Sequence, residues 1–437
     1  MRRAGDRITD EMLSRLAAGG GGADIAQELC AVQESRNRLL VSGIVQEAAR
    51  LRHEQGRLAA DAYALLADIE PSAPKEVRRA FRYPAVGAWA LRCYASLAGG
   101  DPAGAEPGRL GAVAAAVAIR SRTPCRLRIP ARRGTFMLPG LGRVVLPSGV
   151  EGPVDVEVHP GPLGARLGIG RSAVEVDLAE DRPGWKVLHR VSPVPGVDLV
   201  LDDLDGYRWP ETGAARPRLP GGEREHWASC LREAWRILAS DHRTVAAEVA
   251  SAVSVLTPLA SPAHGQNSGS ARETFGTVAL SRPVGGLTLA ATFAHEIQHA
   301  KLTALLDVVP LTRPGHRFAG YAPWRDDPRP VYGLLQGAYA FLGVAGFWRR
   351  RRQAVDGTDD SYADAQFARW RDGAHLVTGT LLRSGGLTER GHDFVTGMRA
   401  TLEHWRAEPV PAGAAARARQ EAERHREAWE RRNPGFV

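Results

Sequence analysis

The segment from Leu289 to Leu306 constrains this chain most, because it predicts a long helix with two different faces. Apolar residues recur along it at helical spacing, which is typical of a helix packed against a core. These residues are Leu289, Phe293, Ile297, Ala300 and Ala304. Two histidines, His295 and His299, are four positions apart and therefore share another face of the same helix. We expect a buried helix that presents a pair of imidazoles.

The two imidazoles are spaced to hold a metal ion. Ring nitrogens one helical turn apart can both reach one divalent metal at about 2 Å. Burying two imidazoles and the carboxylate of Glu296 without a purpose would be costly in free energy. We therefore expect His295 and His299 to be metal ligands, with Glu296 placed to hold a metal-bound water.

A zinc peptidase is the first function that the motif His295-Glu296-Ile297-Gln298-His299 suggests, with Glu296 as general base. The extended metzincin pattern would need Gly at position 302 and His at position 305, and both are Leu. The next glutamate after Glu296 is Glu389, which is too far along the chain to match a downstream glutamate ligand easily. Zinc peptidase stays open as an alternative, and so does a peptide-binding protein with a degenerate metal motif.

Non-haem iron(II) oxygenases provide another precedent, since two histidines and one carboxylate form their facial triad. Asp307 follows His299 by eight residues, about 12 Å along a continuous helix, so it cannot share the metal. Asp326 and Asp327 lie in a loop that could fold back onto the helix. We expect the third ligand among Asp326, Asp327 and Gln336, the last of which lies on the next predicted helix.

The loop from Tyr321 to Pro330 combines three prolines with aromatic, arginine and aspartate residues. The guanidinium of Arg325 or Arg329 has the shape to hold a dicarboxylate such as 2-oxoglutarate. The alternative is that these arginines pair with the aspartates and only pin the loop.

The stretch from Phe275 to Trp348 resembles the bacterial HExxH-motif family of 2-oxoglutarate-dependent peptide β-hydroxylases. The matching pieces are residues 275–283, 295–302, 304–311, 321–330 and 333–337. The resemblance implies Fe(II), 2-oxoglutarate and O₂ as cofactor and cosubstrates. It also implies hydroxylation of a side-chain β-carbon in a ribosomally synthesised precursor peptide.

The same resemblance implies roles for individual residues. His295 and His299 would be iron ligands, and Asp326 is the third ligand that we carry forward. Arg325 or Arg329 would bind 2-oxoglutarate, with Gln336 and Tyr321 as further cofactor-binding candidates.

The predicted fold class is α+β and mainly helical. We expect a helical N-terminal region at 1–107, a β-rich segment at 108–220, an HExxH catalytic region at 221–410 and a charged helical tail at 411–437. Short β-branched runs predict antiparallel strands at 135–138, 143–146, 154–158, 173–178, 186–190 and 197–201. Another strand is expected at 275–280.

The composition bears mainly on partners and location. The net charge is +8, but only three basic residues are Lys and the arginines are spread widely, so we expect no nucleic-acid partner. The four cysteines are far apart, which argues against a zinc ribbon or a disulfide scaffold. Residues 1–6 do not read as an apolar signal segment, and no run of about 18 apolar residues is present. We expect no membrane span and a cytoplasmic location.

Overall fold

The computed structural model describes residues 8–147, 150–210, 214–263, 265–354 and 361–436. The chain divides into two compact units, each assembled from separate segments. The histidine unit comprises Met1–Val32, Ser229–Ala252 and Pro283–Val437, and the sheet unit comprises Gln33–Ala228 and Val253–Arg282. The four regions expected from sequence stay a prediction, and the expectation for residues 1–6 lies outside the described residues.

Helices dominate the described part of the chain. In chain order they are α1 (Asp10–Ala17), α2 (Gly22–Arg50), α3 (Gly56–Ile69), α4 (Pro74–Phe81), α5 (Pro84–Ala98), α6 (Leu110–Ser121), α7 (Gly221–Asp241), α8 (Arg243–Ala252), α9 (Gly286–Leu306), α10 (Val331–Ala354), α11 (Ser361–Arg383), α12 (Glu389–Arg406) and α13 (Ala412–Arg432).

The strands are short and lie mainly in the sheet unit. They are β1 (Cys125–Ala131), β2 (Thr135–Leu138), β3 (Gly142–Val145), β4 (Gly152–Gly161), β5 (Gly164–Ile169), β6 (Ser172–Asp177), β7 (Trp185–Val187), β8 (His189–Val194), β9 (Val197–Leu201), β10 (Val255–Pro258), β11 (Ser268–Gly269), β12 (Thr277–Leu280), β13 (Ala319–Gly320) and β14 (Arg329–Pro330). The predicted class, α+β with helix in excess of strand, is confirmed.

Within the described residues the strands form four sheets, with orders β1-β4-β5-β6, β2-β3-β7, β11-β12-β10-β9-β8 and β13-β14. Most neighbouring strands are antiparallel, as expected from their alternating pattern and short turns. The pairs β9-β10 and β10-β12 are parallel. The sequence did not predict this, because parallel pairing joins strands that are distant in the chain.

Two elements differ from the sequence expectations. Residues Leu110–Ser121 form helix α6 inside the range that we read as β-rich, and the helix is buried almost all round. A helix that is apolar on every side has no amphipathic period, so the sequence pattern does not reveal it. The apolar pattern of residues 246–256 favours helix throughout, but helix α8 ends at Ala252 and Val255 begins strand β10.

The core of the histidine unit is built on α9 and α10, which pack against each other. Gly343 allows this close approach, because a side chain there would lie 2.7 Å from the carbonyl oxygen of Ala294. Residues Val331–Gln353 are long and apolar enough to span a membrane by length and composition, but they are mostly buried inside the fold. Such burial is typical of a core helix.

Candidate metal centre

Helix α9 begins at a position that only glycine can occupy. The backbone N–H of Gly286 donates to the Glu233 carboxylate at 3.0 Å, which satisfies one of the unpaired donors of the helix terminus. A Cβ at position 286 would lie 2.4 Å from Cγ of Glu233. The contact fixes where α9 starts and therefore where its histidines lie.

The side of α9 that faces the core is held by polar contacts as well as by apolar packing. Nζ of Lys301 donates to Glu248 at 2.8 Å and to the carbonyl of Gly20 at 2.9 Å. The Gln298 amide donates to the carbonyl of Gly19 at 2.9 Å. Lys301 and Glu248 are each only 1% exposed, so this is a fully buried ion pair. These contacts fix the rotation of the helix about its axis.

The other side of α9 presents the imidazole pair, as the spacing predicted. Nε2 of His295 and Nε2 of His299 are 3.1 Å apart, and the rings meet edge to face. Two nitrogens that bind one metal at about 2.1 Å, with an angle of about 90–110° between them, would be separated by about 3.0–3.4 Å. The observed separation is within that range, so the pair fits a shared metal ion.

Gln336 of α10 fixes the orientation of His299. Its Oε1 lies 3.0 Å from Nδ1 of His299, and its amide nitrogen donates to the hydroxyls of Tyr332 and Thr303. Because an amide oxygen only accepts, Nδ1 of His299 carries the proton and Nε2 presents its lone pair. A partner of this kind on the remote ring nitrogen is usual for metal-binding histidines. Gln336, a candidate ligand from sequence, thus contacts the histidine ring, and its role as a ligand stays a prediction.

The imidazole of His295 is neutral at neutral pH. Burial and the neighbouring His299 lower its pKa to about 4, although the charge of Glu296 acts in the opposite direction. A neutral imidazole is the form that binds a metal. Glu296 itself is 1% exposed and lies on the buried side of the helix.

An aromatic wall that the sequence analysis did not predict stands beside His295. The ring of Phe341 lies 5.1 Å from that of His295 and stacks on Trp324 at 4.5 Å. The ring of Trp370, on α11, also lies 4.3 Å from that of Phe341. Gly337 makes room for Trp324, since a Cβ there would lie 2.3 Å from the indole nitrogen. The wall brings the loop 321–330 to the side of the imidazole pair.

Within that loop the charged residues bind each other. Asp327 accepts from Nε of Arg325 at 3.0 Å and from Nη1 of Arg329 at 2.9 Å. These two guanidiniums hold the pKa of the Asp327 carboxyl below its usual value. The sequence left open whether the arginines clamp a ligand or pin the loop, and the structure contains the ion pairs of the second alternative.

The third ligand is not found among the described residues. There, no group of three His, Cys, Asp or Glu side chains comes together in a way that could hold a metal. Asp326 forms an ion pair with Arg432 at 2.8 Å, and Asp327 is engaged by the two loop arginines. The role of Asp326 as a ligand therefore stays a prediction.

The charged tail reaches this loop and is not solvated on all sides. Helix α13 lies within the predicted tail at 411–437, but its Trp429 is only 3% exposed and lies edge-on to Tyr321. The Tyr321 hydroxyl lies 2.9 Å from Nδ1 of His425. Tyr321, expected to bind cofactor, thus contacts the tail, and the single tryptophan in a charged helix was the available signal.

Comparison with known proteins gives no further constraint on this centre. No protein-family model matches the chain, and no curated protein matches it in sequence.

Proposed function

We propose that this chain is an Fe(II)- and 2-oxoglutarate-dependent dioxygenase that hydroxylates a side-chain β-carbon of a ribosomally synthesised peptide in the cytoplasm. The observation that carries the metal-binding part is the 3.1 Å separation of the two Nε2 atoms of His295 and His299. The peptide and the two cosubstrates rest on the family resemblance of residues 275–348.

Several features of the site support a metal centre rather than a chance pair of histidines. The two rings are half-buried, the pKa of His295 keeps it neutral, and Gln336 holds His299 in the tautomer that directs Nε2 to the metal. When bound, Fe(II) with 2-oxoglutarate and O₂ would supply the oxidising chemistry. The protein would supply orientation and, through Phe341 and Trp324, a dry wall beside the centre.

Arg325 and Arg329 remain our candidates for the 2-oxoglutarate carboxylate. A guanidinium carries five N–H donors, so a bond to Asp327 leaves donors for a second carboxylate. Their side chains are 52% and 33% exposed, so a small acid can reach them.

The zinc peptidase alternative depends on Glu296 as a base that reaches a metal-bound water. The 1% exposure of Glu296 favours a structural role for this carboxylate over contact with a peptide bond. Substitution of Glu296 by Gln separates the two, because a peptidase would lose its hydrolytic step and an oxygenase would keep its hydroxylation.

The test begins with protein loaded anaerobically with Fe(II). With 2-oxoglutarate, O₂ and a co-expressed precursor peptide, we expect succinate and a peptide heavier by one oxygen atom in mass spectrometry. Peptide fragments formed with Zn(II) would contradict the proposal and favour a peptidase. Peptide binding without any product would favour the binding protein with a degenerate motif.

Matched histidine variants test the site itself. We expect His295→Ala and His299→Ala to lose the metal and the hydroxylation while the fold is retained. His404→Ala, which removes an exposed histidine on α12, is the control and should keep both. Unchanged metal content in both site variants would contradict the metal centre.

A further inference from the structure

A cavity of about 300 Å³ lies within the sheet unit, and none of the residues of the candidate metal centre lines it. Its walls carry six basic side chains from three elements: α4 with the residue after it, the end of α6, and β8. These are Lys75, Arg78, Arg79, Arg82, Arg120 and Arg190. In the sequence they are spread over more than a hundred positions, so only the fold gathers them.

Two of these arginines converge on one backbone oxygen. Nη2 of Arg120 donates to the carbonyl of Gly140 at 2.8 Å, and Nη2 of Arg190 donates to the same oxygen at 3.2 Å. Gly140 has φ of +72°, and a Cβ there would lie 3.2 Å from the Tyr83 ring, so glycine is required at this point. Among the described residues, neither guanidinium forms an ion pair.

The carboxylates around the cavity are fewer than the cations. Glu34 binds Arg82 at 2.8 Å and lies 3.6 Å from Arg78. Asp198 lines the cavity and accepts from the Ser192 hydroxyl. Glu76 of α4 is the third acidic group whose charge acts on these arginines. Of these three acidic groups Asp198 alone lines the cavity, so among the described residues the six basic side chains of the lining are in excess.

The pKa values of two of these arginines are lowered, and like charge contributes to the shift. Burial is the largest cause for Arg120, whose pKa falls to about 9, and the guanidiniums of Arg79 and Arg190 act in the same direction. Burial and Arg79 also lower the pKa of Arg190. Because arginine keeps its proton at neutral pH, these guanidiniums are like charges held close together.

We propose that this cavity binds an anion through a phosphoryl group. Arg79, Arg120 and Arg190 present guanidinium donors to one space, and a phosphoryl group offers three strong acceptor oxygens on one centre. Its charge of about −2 matches the excess of cations better than a single carboxylate would. The cavity has room for a diphosphate, and the wall of Ala116, Val117 and Pro139 limits its solvation.

Calorimetric titration of the full chain at low ionic strength tests the proposal with phosphate, pyrophosphate, ADP and succinate as probes. We expect saturable one-site binding of pyrophosphate that weakens as salt is added, and weaker binding of succinate. Binding of ADP as tightly as pyrophosphate would assign the site to a phosphorylated metabolite, and weaker ADP binding would assign it to free phosphates. Pyrophosphate that does not saturate, or succinate that binds as tightly, would overturn the proposal.

Paired variants assign the binding to the cavity. Arg120→Gln with Arg190→Gln should weaken pyrophosphate binding by about tenfold or more, because two charge-assisted hydrogen bonds are lost. Arg126→Gln with Arg171→Gln removes the same charge from exposed positions of the same unit and should leave binding unchanged. Arg79→Gln, at an exposed position, should weaken binding if the double variant fails to fold. Equal losses in the cavity variants and the control would overturn the proposal.

Discussion

The two polar faces of α9 differ in how their side chains are satisfied. On the face toward the core, Lys301 and Gln298 donate to backbone carbonyls, and Lys301 also pairs with Glu248. On the other face, His295 and His299 direct ring nitrogens at each other and are half-buried. A charge that is fully paired inside the protein stabilises the fold, whereas converging ring nitrogens within reach of solvent suit a ligand. The difference predicts that substitutions on the first face change stability and those on the second change binding.

The largest effect on stability is expected from Lys301→Met. This change leaves the Glu248 carboxylate buried without its cation, and breaking a buried pair in this way costs about 3–5 kcal/mol. Denaturant unfolding measures the loss, and metal binding per folded molecule should not change. Adding Glu248→Gln should recover part of the stability, since the remaining buried charge is removed. A loss under about 1 kcal/mol for the single variant would contradict the structural role of this face.

A smaller, pH-dependent effect is expected from His242, which also lies on the core side of this unit. Its ring is 2% exposed and stacks on Phe347 at 4.2 Å, and burial lowers its pKa from 6.5 to about 4. As the pH falls, His242 therefore takes up a proton at a higher pH in the unfolded chain than in the folded protein. The contribution of His242 to the free energy of unfolding is fully present above pH 6.5. It is lost progressively as the pH falls toward 4, by up to about 3 kcal/mol.

His242→Phe isolates this contribution, because phenylalanine keeps the stacking and cannot titrate. The free energy of unfolding should fall less between about pH 7.5 and about pH 4.5 in the variant than in the wild type. Parallel pH dependences in the two proteins would show that His242 does not titrate between the two states.

The smallest effect in this series concerns the imidazole face and is expected from Gln336→Ala. The variant loses the acceptor that orients His299, and loss of such a partner weakens metal binding by about 10–100-fold. Metal titration measures the change, while the unfolding free energy should change little. Tyr332→Phe removes only a hydroxyl that accepts from the Gln336 amide and should affect metal binding less. An effect of Tyr332→Phe as large as that of Gln336→Ala would contradict orientation through Oε1 of Gln336.

Particular helices and strands show how much of the fold the sequence predicted. The bounds of strands β2 and β9 agree with the predicted ranges 135–138 and 197–201, and the apolar stripe of α9 is buried as predicted. Helix α6 was not predicted because it has no polar side. Strands β1 and β5 were not predicted because their residue patterns are less regular than those of the neighbouring strands. Periodicity identifies elements that have one solvent-exposed face. It does not identify elements that are buried on all sides or whose pattern is interrupted.

The sequence by itself determined the pair His295 and His299, because spacing on one helix is a local property. Only the tertiary structure decided which groups meet that pair. Gln336 and Phe341 reach it from α10, while Asp326 and Asp327 are engaged by arginines. The basic cavity also depends on the tertiary structure. Its residues Arg79, Arg120 and Arg190 are far apart in the chain and come together only in the fold. Contacts between distant segments depend on how whole elements pack, and no local pattern encodes that packing.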